Sequence, residues 1–220
     1  MERTLRPARR ATLATDVYET IKGLLMDHAI APGAKINIDG LARELDVSPT
    51  PVREALARLE SDGLVRKRPL TGYTVAPLLS REEFEHLFEM RLLLEPAAAA
   101  RAAQRASEAQ RAVIVAEAAA ATAPGEEAGY RGFAEFSAKD ARFHDLIAEA
   151  AGNEMLHDAI TRLHSHLHLH RLYFPRRQAE DTLDEHGAIA QAIAGADSRA
   201  AGKAMREHLV QSRRRHAGAF

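Results

Sequence analysis

Apolar residues recur at helical spacing near the start of the chain. In "DVYETIKGLLMDHAI" the residues Val17, Ile21, Leu24 and Leu25 fall on one face, which predicts a helix. "APG" at 31–33 stops it, and Asp39 is placed to cap a short helix, "DGLARELD", whose Leu41 and Leu45 face inward. "DVS" then leads directly into a third helix. Ser48 is its expected N-cap, Pro49 and Pro51 suit a first turn whose N–H groups have no intrahelical acceptor, and Val52, Ala55, Leu56 and Leu59 form a buried stripe. Gly63 closes that helix. The alternation in "LVRKRPLTGYTVAPL" predicts two short strands around a turn at Thr71 and Gly72, with Arg66, Lys67 and Arg68 leading into it. Three short helices followed by a basic hairpin make a winged helix-turn-helix, in which the third helix enters the major groove and the wing follows the backbone. Patterning alone also fits a small helical domain with an incidental hairpin.

Beyond residue 79 the periodicity is helical throughout. Ser80 with Glu83, Ser107 with Gln110, and Thr182 with Glu185 have capping-box spacing and predict three helix starts. The first of these helices contains Pro96, where a kink is expected. "TAPGEEAG" at 122–129 reads as a loop, and "AGN" at 151–153 ends the next helix. Another helix should run from Asn153 to Tyr173, with Pro175 ending it; one more stops near Gly195, and the last runs from about Asp197 into "RRRH". This predicts a mainly α protein with an all-α bundle of about six helices after the winged module. The divisions are a basic arm over 1–14, the winged helix-turn-helix over 15–78 and the bundle over 79–217.

Composition adds limits. The chain has 220 residues, 46% hydrophobic and 28% charged, with mean hydropathy -0.29, which suits an ordered soluble protein with room for two modules. No segment has the apolar length of a membrane span, and no apolar run follows the four arginines of "MERTLRPARRATLATD", so the expected location is the cytoplasm, with no membrane partner. Cysteine is absent, so any metal must be held by His, Asp or Glu. Net charge is -1, and residues 1–77 carry 12 Lys/Arg against 10 Asp/Glu, only a slight basic tilt toward nucleic acid.

The run "LARELDVSPTPVREALARLESDGLV", followed by "GYTV", resembles the GntR family of transcription regulators. The C-terminal part is similar to the effector-binding domain called FCD, in its shorter six-helix, VanR-like form, through "DARFH", "AGN", the isolated "EH" and the late "EHL" in that order. The resemblance implies that Ser48, Thr50 and Arg53 face DNA from the recognition helix and that Gly72 lies at the wing tip. Many members carry arginine where this chain has Pro49, so an expected guanine contact is missing here. Arg53 is also favoured physically, since a cation near the start of the third helix can reach phosphate or a base edge; its alternative is a surface salt bridge to Glu54 or Glu60. Arg66, Lys67 and Arg68 are candidate phosphate contacts, with a solvated charged face as the alternative.

Candidate chemistry centres on histidine: ten of the eleven lie after residue 79. In "HSHLHLH" the residues His164, His166, His168 and His170 alternate. On a helix, residues two apart point in opposed directions, so the four cannot converge as one set, and exposed or pocket-lining histidines are expected. Asp140 and His144 are four apart in "KDARFH" on a face with Phe136, Phe143 and Ile147, half of a divalent-cation site or simply a hydrogen-bonded pair. The resemblance supplies one histidine from each of the last two helices, His186 and His208. Three imidazoles and a carboxylate suit zinc, nickel or manganese. An open coordination position would admit a small carboxylate effector whose far end Arg91 could hold; the alternative for Arg91 is a buried structural ion pair.

These readings imply a DNA-binding homodimer, a repressor of a palindromic operator with an activator as the alternative, whose affinity shifts with a small carboxylate effector at a metal-containing pocket. The rivals are a metal-dependent enzyme on the Asp/His site, against which stands the lack of an HExxH-type general base, and a bundle whose metal is structural only.

Overall fold

The computed structural model describes residues 9–69, 72–123, 129–172 and 179–220. The chain divides between Leu78 and Leu79 into two compact units.

In the first unit the helices are α1 (Arg9–Met26), α2 (Ile38–Glu44) and α3 (Pro49–Ser61), followed by β1 (Val65–Arg68) and β2 (Gly72–Val75). The helix α1 begins at Arg9, so residues 9–14, expected as part of the arm, are helical. Residues 1–8 of the arm, and Thr71 of the expected turn, lie outside the described residues. The Val17, Ile21 and Leu25 face of α1 is buried with Val52, Ala55, Leu56 and Leu59 of α3. Tyr18 locks the same pair of helices: its hydroxyl donates to Asp62 Oδ2 at 2.6 Å, and the Arg58 guanidinium lies 4.0 Å above its ring. Asn37, not Asp39, caps α2, accepting from Gly40 N at 3.0 Å; helix geometry places the N3 amide, three residues on, within reach of the cap side chain. Asp46 takes the left-handed conformation (φ 52°) that turns the chain from α2 into α3. The strands pair antiparallel, Val65 with Val75 through Arg68 with Gly72, and Lys35 bridges to Thr74 on the other side.

The second unit is helical: α4 (Arg81–Arg105), α5 (Glu108–Ala120), α6 (Gly129–Ala150), α7 (Glu154–Thr161), α8 (Ser165–Leu172), α9 (Ala179–Ala194) and α10 (Ser198–His216), with a 3-10 turn over Ala217–Ala219. Two of the three expected capping boxes form completely, at Ser80 with Glu83 and at Ser107 with Gln110. The third does not. Helix α9 already runs from Ala179, so Thr182 is interior to it, and Glu185 turns to side chains of α10 instead of back to the backbone. The single helix expected from Asn153 to Tyr173 is broken into α7 and α8 by His164 in the left-handed region (φ 45°), which makes the count seven rather than six among the described residues. Tyr173 and Pro175 lie outside the described residues, as does most of the 122–129 loop. No helix among the described residues is long and apolar enough to cross a membrane.

Helix α4 is continuous through Pro96 and buries Ala98, Ala99, Ala102 and Ala103 against the rest of the bundle. Its small residues allow α10 to come close. At Gly202 of α10 an added Cβ would meet Pro96 O at 3.1 Å and Ala100 Cβ at 3.3 Å. A Gly202→Leu substitution should therefore cost about 1–3 kcal/mol of stability through overpacking. Chemical denaturation measures it; an unchanged midpoint would mean that α4 and α10 do not meet this tightly.

Candidate nucleic-acid interface and metal centre

In the first unit, burying Val52, Ala55, Leu56 and Leu59 leaves the opposite face of α3 to solvent. Ser48, Thr50 and Arg53 are all exposed there. Ser48 occupies the N-cap position with extended backbone, yet its side chain makes no cap hydrogen bond, so the hydroxyl is available to another acceptor or donor. Among the described residues Arg53 has no ion-pair partner, and Glu60, one of its expected partners, instead accepts from Lys67 N at 3.2 Å. Arg66, Lys67 and Arg68 are exposed along β1. Gly72 sits opposite Arg68 with φ +84° and nothing within 4 Å of a built Cβ, so it is the backbone conformation and not crowding that calls for glycine.

In the second unit, three helices bring the four candidate ligands together. Asp140 and His144, one turn apart on α6, meet His186 of α9 and His208 of α10. The ligand nitrogens of His144, His186 and His208 lie within 4.8 Å of one another. Asp140 Oδ1 is 3.3 Å from His186 Nε2 and 3.8 Å from His144 Nε2. These three atoms are buried, and none has hydrogen-bond geometry to a partner among the described residues. Buried polar atoms left in this way are costly, and a cation coordinated by all of them would remove the cost. The donor set therefore fits a divalent metal without thiolate. Phe143 stacks on His186 at 4.2 Å between ring centroids, fixing that ring from below.

Several residues of the site escaped the sequence reading. His166 Nδ1 contacts Asp140 Oδ2 at 2.7 Å. His208 Nδ1 contacts Glu185 Oε2 at 2.7 Å, and Arg215 donates to both oxygens of that glutamate. Glu185 neighbours His186 in α9, and so points away from that ring, but reaches His208 on the next helix. Beside the ligands is a cavity of about 90 Å³, lined among others by Arg91, Asp140, His166, His208, Arg215 and His216, with room for several waters or a small organic anion. His166 and His170, one helical turn apart on α8, both line it, and His164 and His168 do not, as the helical geometry of the alternating run requires. Arg91 also lines the cavity but is already paired: its Nε lies 2.5 Å from Glu95 Oε1 and its Nη2 3.4 Å from Glu95 Oε2.

Electrostatics suit ligation. Burial drives the His144 imidazole down to about 3 and that of His208 down to about 4, although Glu95 and Glu185 pull in the opposite sense. Burial alone would raise Asp140 and Glu185. For Asp140 the neighbouring His166 and His186 outweigh it and hold the carboxyl well below its usual range; for Glu185 the hydrogen bonds from Arg215 and His208 bring it down to about 2. Neutral imidazoles facing a carboxylate are the protonation states a metal needs.

Residues 13–75 match the bacterial regulatory proteins of the gntR family, and residues 86–211 match the FCD domain. The HTH-type transcriptional repressor GlaR of Escherichia coli (strain K12) is 25% identical over 202 residues, covering 89% of this chain and 91% of that protein. The HTH-type transcriptional regulator LutR of Bacillus subtilis (strain 168) is 27% identical over 212 residues, covering 85% and 93%. The solved structure of E. coli McbR/YncC has the same fold, with a TM-score of 0.72 at 21% identity over 94% of this chain and 97% of that one.

The buried histidines make stability depend on pH. An unfolded imidazole titrates near 6.5, so between there and about 4 the unfolded chain binds protons that folded His144 and His208 refuse. The stability of metal-free protein should be full above about pH 6.5 and fall as the pH is lowered toward 4. Urea unfolding in the presence of a chelator at pH 7.5 and pH 5 checks this; equal midpoints would contradict neutral, buried imidazoles.

Proposed function

This chain belongs to the GntR family of bacterial regulatory proteins and carries an FCD domain, so it is a transcription regulator and not an enzyme; from that premise we propose a homodimeric, sequence-specific operator binder, acting as a repressor, whose affinity for DNA is set by a small carboxylate effector at a metal-containing pocket. The observation that carries the reading is the convergence of Asp140, His144, His186 and His208 beside a cavity, in the same chain as an exposed recognition helix.

On DNA, Arg53, Ser48 and Thr50 read or position the major groove, and Arg66, Lys67, Arg68 and Gly72 bring the wing to the phosphates. Two such units match the two halves of a palindromic operator, which is the physical reason for the dimer. In the bundle, Asp140, His144, His186 and His208 hold a divalent ion, zinc, nickel or manganese. The bound metal supplies a Lewis-acidic point for a carboxylate oxygen. Hydroxyls and imidazoles of the cavity wall orient the rest of the effector. Arg91 contributes differently from a free clamp: its Nε and Nη2 are committed to Glu95, so an effector meets only the remaining edge of the guanidinium. Repression is supported by the name GlaR carries, and regulation requires that effector bind the two operator-affinity states unequally.

A second reading keeps the metal as a structural brace with no effector, since the four ligands tie three helices together. Chelation separates the two: lost helicity favours the brace, and intact helicity with a lost effector response favours sensing.

Arg53→Ala should weaken operator binding by about 1–3 kcal/mol, roughly 5- to 150-fold, measured by fluorescence anisotropy on a fragment the protein selects from its source genome. Unchanged affinity would remove α3 as the reading helix. Asp140→Ala and His186→Ala should each lower the metal retained after dialysis, as counted by mass spectrometry; full retention in either would exclude the four-ligand centre.

A further inference from the structure

Two carboxylates outside the ligand set stand behind it, each held by an arginine. Glu185 of α9 accepts Arg215 Nη1 through Oε1 and Arg215 Nη2 through Oε2, each at 2.7 Å, and its Oε2 lies 2.7 Å from His208 Nδ1. Glu95 of α4 meets Arg91 Nε through Oε1 at 2.5 Å and Arg91 Nη2 through Oε2 at 3.4 Å, and its Oε2 lies 2.5 Å from His144 Nδ1. Each carboxylate is gripped by an arginine at both oxygens and lies against the Nδ1 of one histidine, with hydrogen-bond geometry for Glu185 and His208 and as a close contact without it for Glu95 and His144.

A neutral imidazole carries a single N–H. A carboxylate at Nδ1 favours the tautomer with the proton there and leaves the Nε2 lone pair free. For His144, Nε2 is the buried nitrogen facing Asp140. For His208, the contact to Glu185 takes Nδ1 and leaves Nε2 as the nitrogen open to a metal. Glu95 and Arg91 are both almost wholly buried, and an arginine–carboxylate pair is tolerated in such a place only if its hydrogen-bonding capacity is used. The third group beside it is the His144 imidazole, at ion-pair distance but without hydrogen-bond geometry.

We propose that Glu185 is a positioning residue of the metal centre, fixing the Nδ1–H tautomer and ring plane of His208, with Arg215 fixing the carboxylate in turn. The assignment rests on the reading that Asp140, His144, His186 and His208 hold a metal. Arg215 also lines the cavity, so an anion bound there acts on the group that aims His208, and the two sites are thermodynamically linked.

Glu185 is the residue to test, being the less buried of the two glutamates. The full-length protein is titrated with cobalt(II) alone, reading visible absorption, as wild type, Glu185→Gln and Glu185→Ala. Loss of an outer partner of a ligating histidine typically weakens metal binding about 10–100-fold, and Glu185→Ala should fall in that range. Glu185→Gln should lose less, because its amide oxygen still accepts from Nδ1–H. Nitrogen-15 spectra of the metal-free forms should show His208 protonated at Nδ1 in wild type and a mixture of tautomers in Glu185→Ala. Cobalt affinity of Glu185→Ala within twofold of wild type, or His208 protonated at Nε2 in the wild type, overturns the positioning role. If wild type itself takes up no cobalt, the metal reading fails and this assignment with it, whereas equal binding by wild type and variant removes the positioning role alone. Should Glu185→Ala lose its helical circular dichroism, Glu185→Gln and the wild-type tautomer decide in the same sense.

Discussion

Polar groups cannot stay buried in an alanine-lined core without partners, and that requirement organises the second unit. Its largest apolar cluster draws on Ala99, Ala102, Ala103, Ala150, Ala190 and Ala201 together with Ile, Leu, Phe and Met side chains, none of which can satisfy an imidazole or a carboxylate. Yet Arg91, Glu95, His144, His186 and His208 are all buried beside it. Each unpaired donor or acceptor there would cost on the order of 1–3 kcal/mol, comparable to much of the net stability of a domain. The chain meets most of that demand internally, through the two arginine–glutamate–histidine sets and the His166 contact to Asp140. Among the buried atoms that make no hydrogen bond, Asp140 Oδ1, His144 Nε2 and His186 Nε2 face each other at one point. A residual demand gathered in one place is the form a cation can fill.

The apolar part of the bundle sets the distances on which this depends. Small side chains on α4 and Gly202 on α10 let the two helices approach until a single methyl would crowd Pro96. That approach places His208 of α10 level with His144 and His186. Near the start of α4 the pair Arg213 and Glu85 joins the same two helices again. Larger residues along α4 would push α10 outward and separate its histidine from the other ligands before any ligand had been altered. The packing of these helices and the spacing of the histidines are therefore not independent, and a substitution remote from the candidate site can reach it through helix spacing.

The sequence made the first unit and the ligand set legible for physical reasons that differ. Helical and alternating periods record which face is buried, and Val17, Ile21, Leu25, Val52, Leu56 and Leu59 all follow the face their spacing implies. Asp140 and His144 show a ligand half-site because one helical turn is a fixed distance, but His186 and His208 carry no local signal and came only through the family resemblance. Three features had no counterpart in spacing. The break at His164 depends on a left-handed residue that sequence patterns do not mark in a non-glycine. Thr182 and Glu185 have capping-box spacing inside a helix, where tertiary partners override the local motif. Glu95 and Glu185 act on histidines of other helices, 49 and 23 residues away, and such pairings exist only after the bundle has assembled.

The route by which the bundle could influence the DNA-binding unit is narrowed by connectivity. The two units join between Leu78 and Leu79, and Ser80 starts α4 with a complete capping box, so the helix begins two residues after the junction. Four helical turns on, the same α4 carries Glu95 against His144, and a turn before that it carries Arg91 on the cavity wall. A ligand that changed how Arg91 and Glu95 share their contacts would act on a rigid element whose other end enters the connection to β2 of the wing. Rigidity alone transmits nothing: the effector must favour one of two arrangements of α4 against α6 and α10, and its differential affinity for them bounds the change in operator binding. A tenfold response needs about 1.4 kcal/mol of that difference, within what repartnering one buried charge-assisted hydrogen bond supplies.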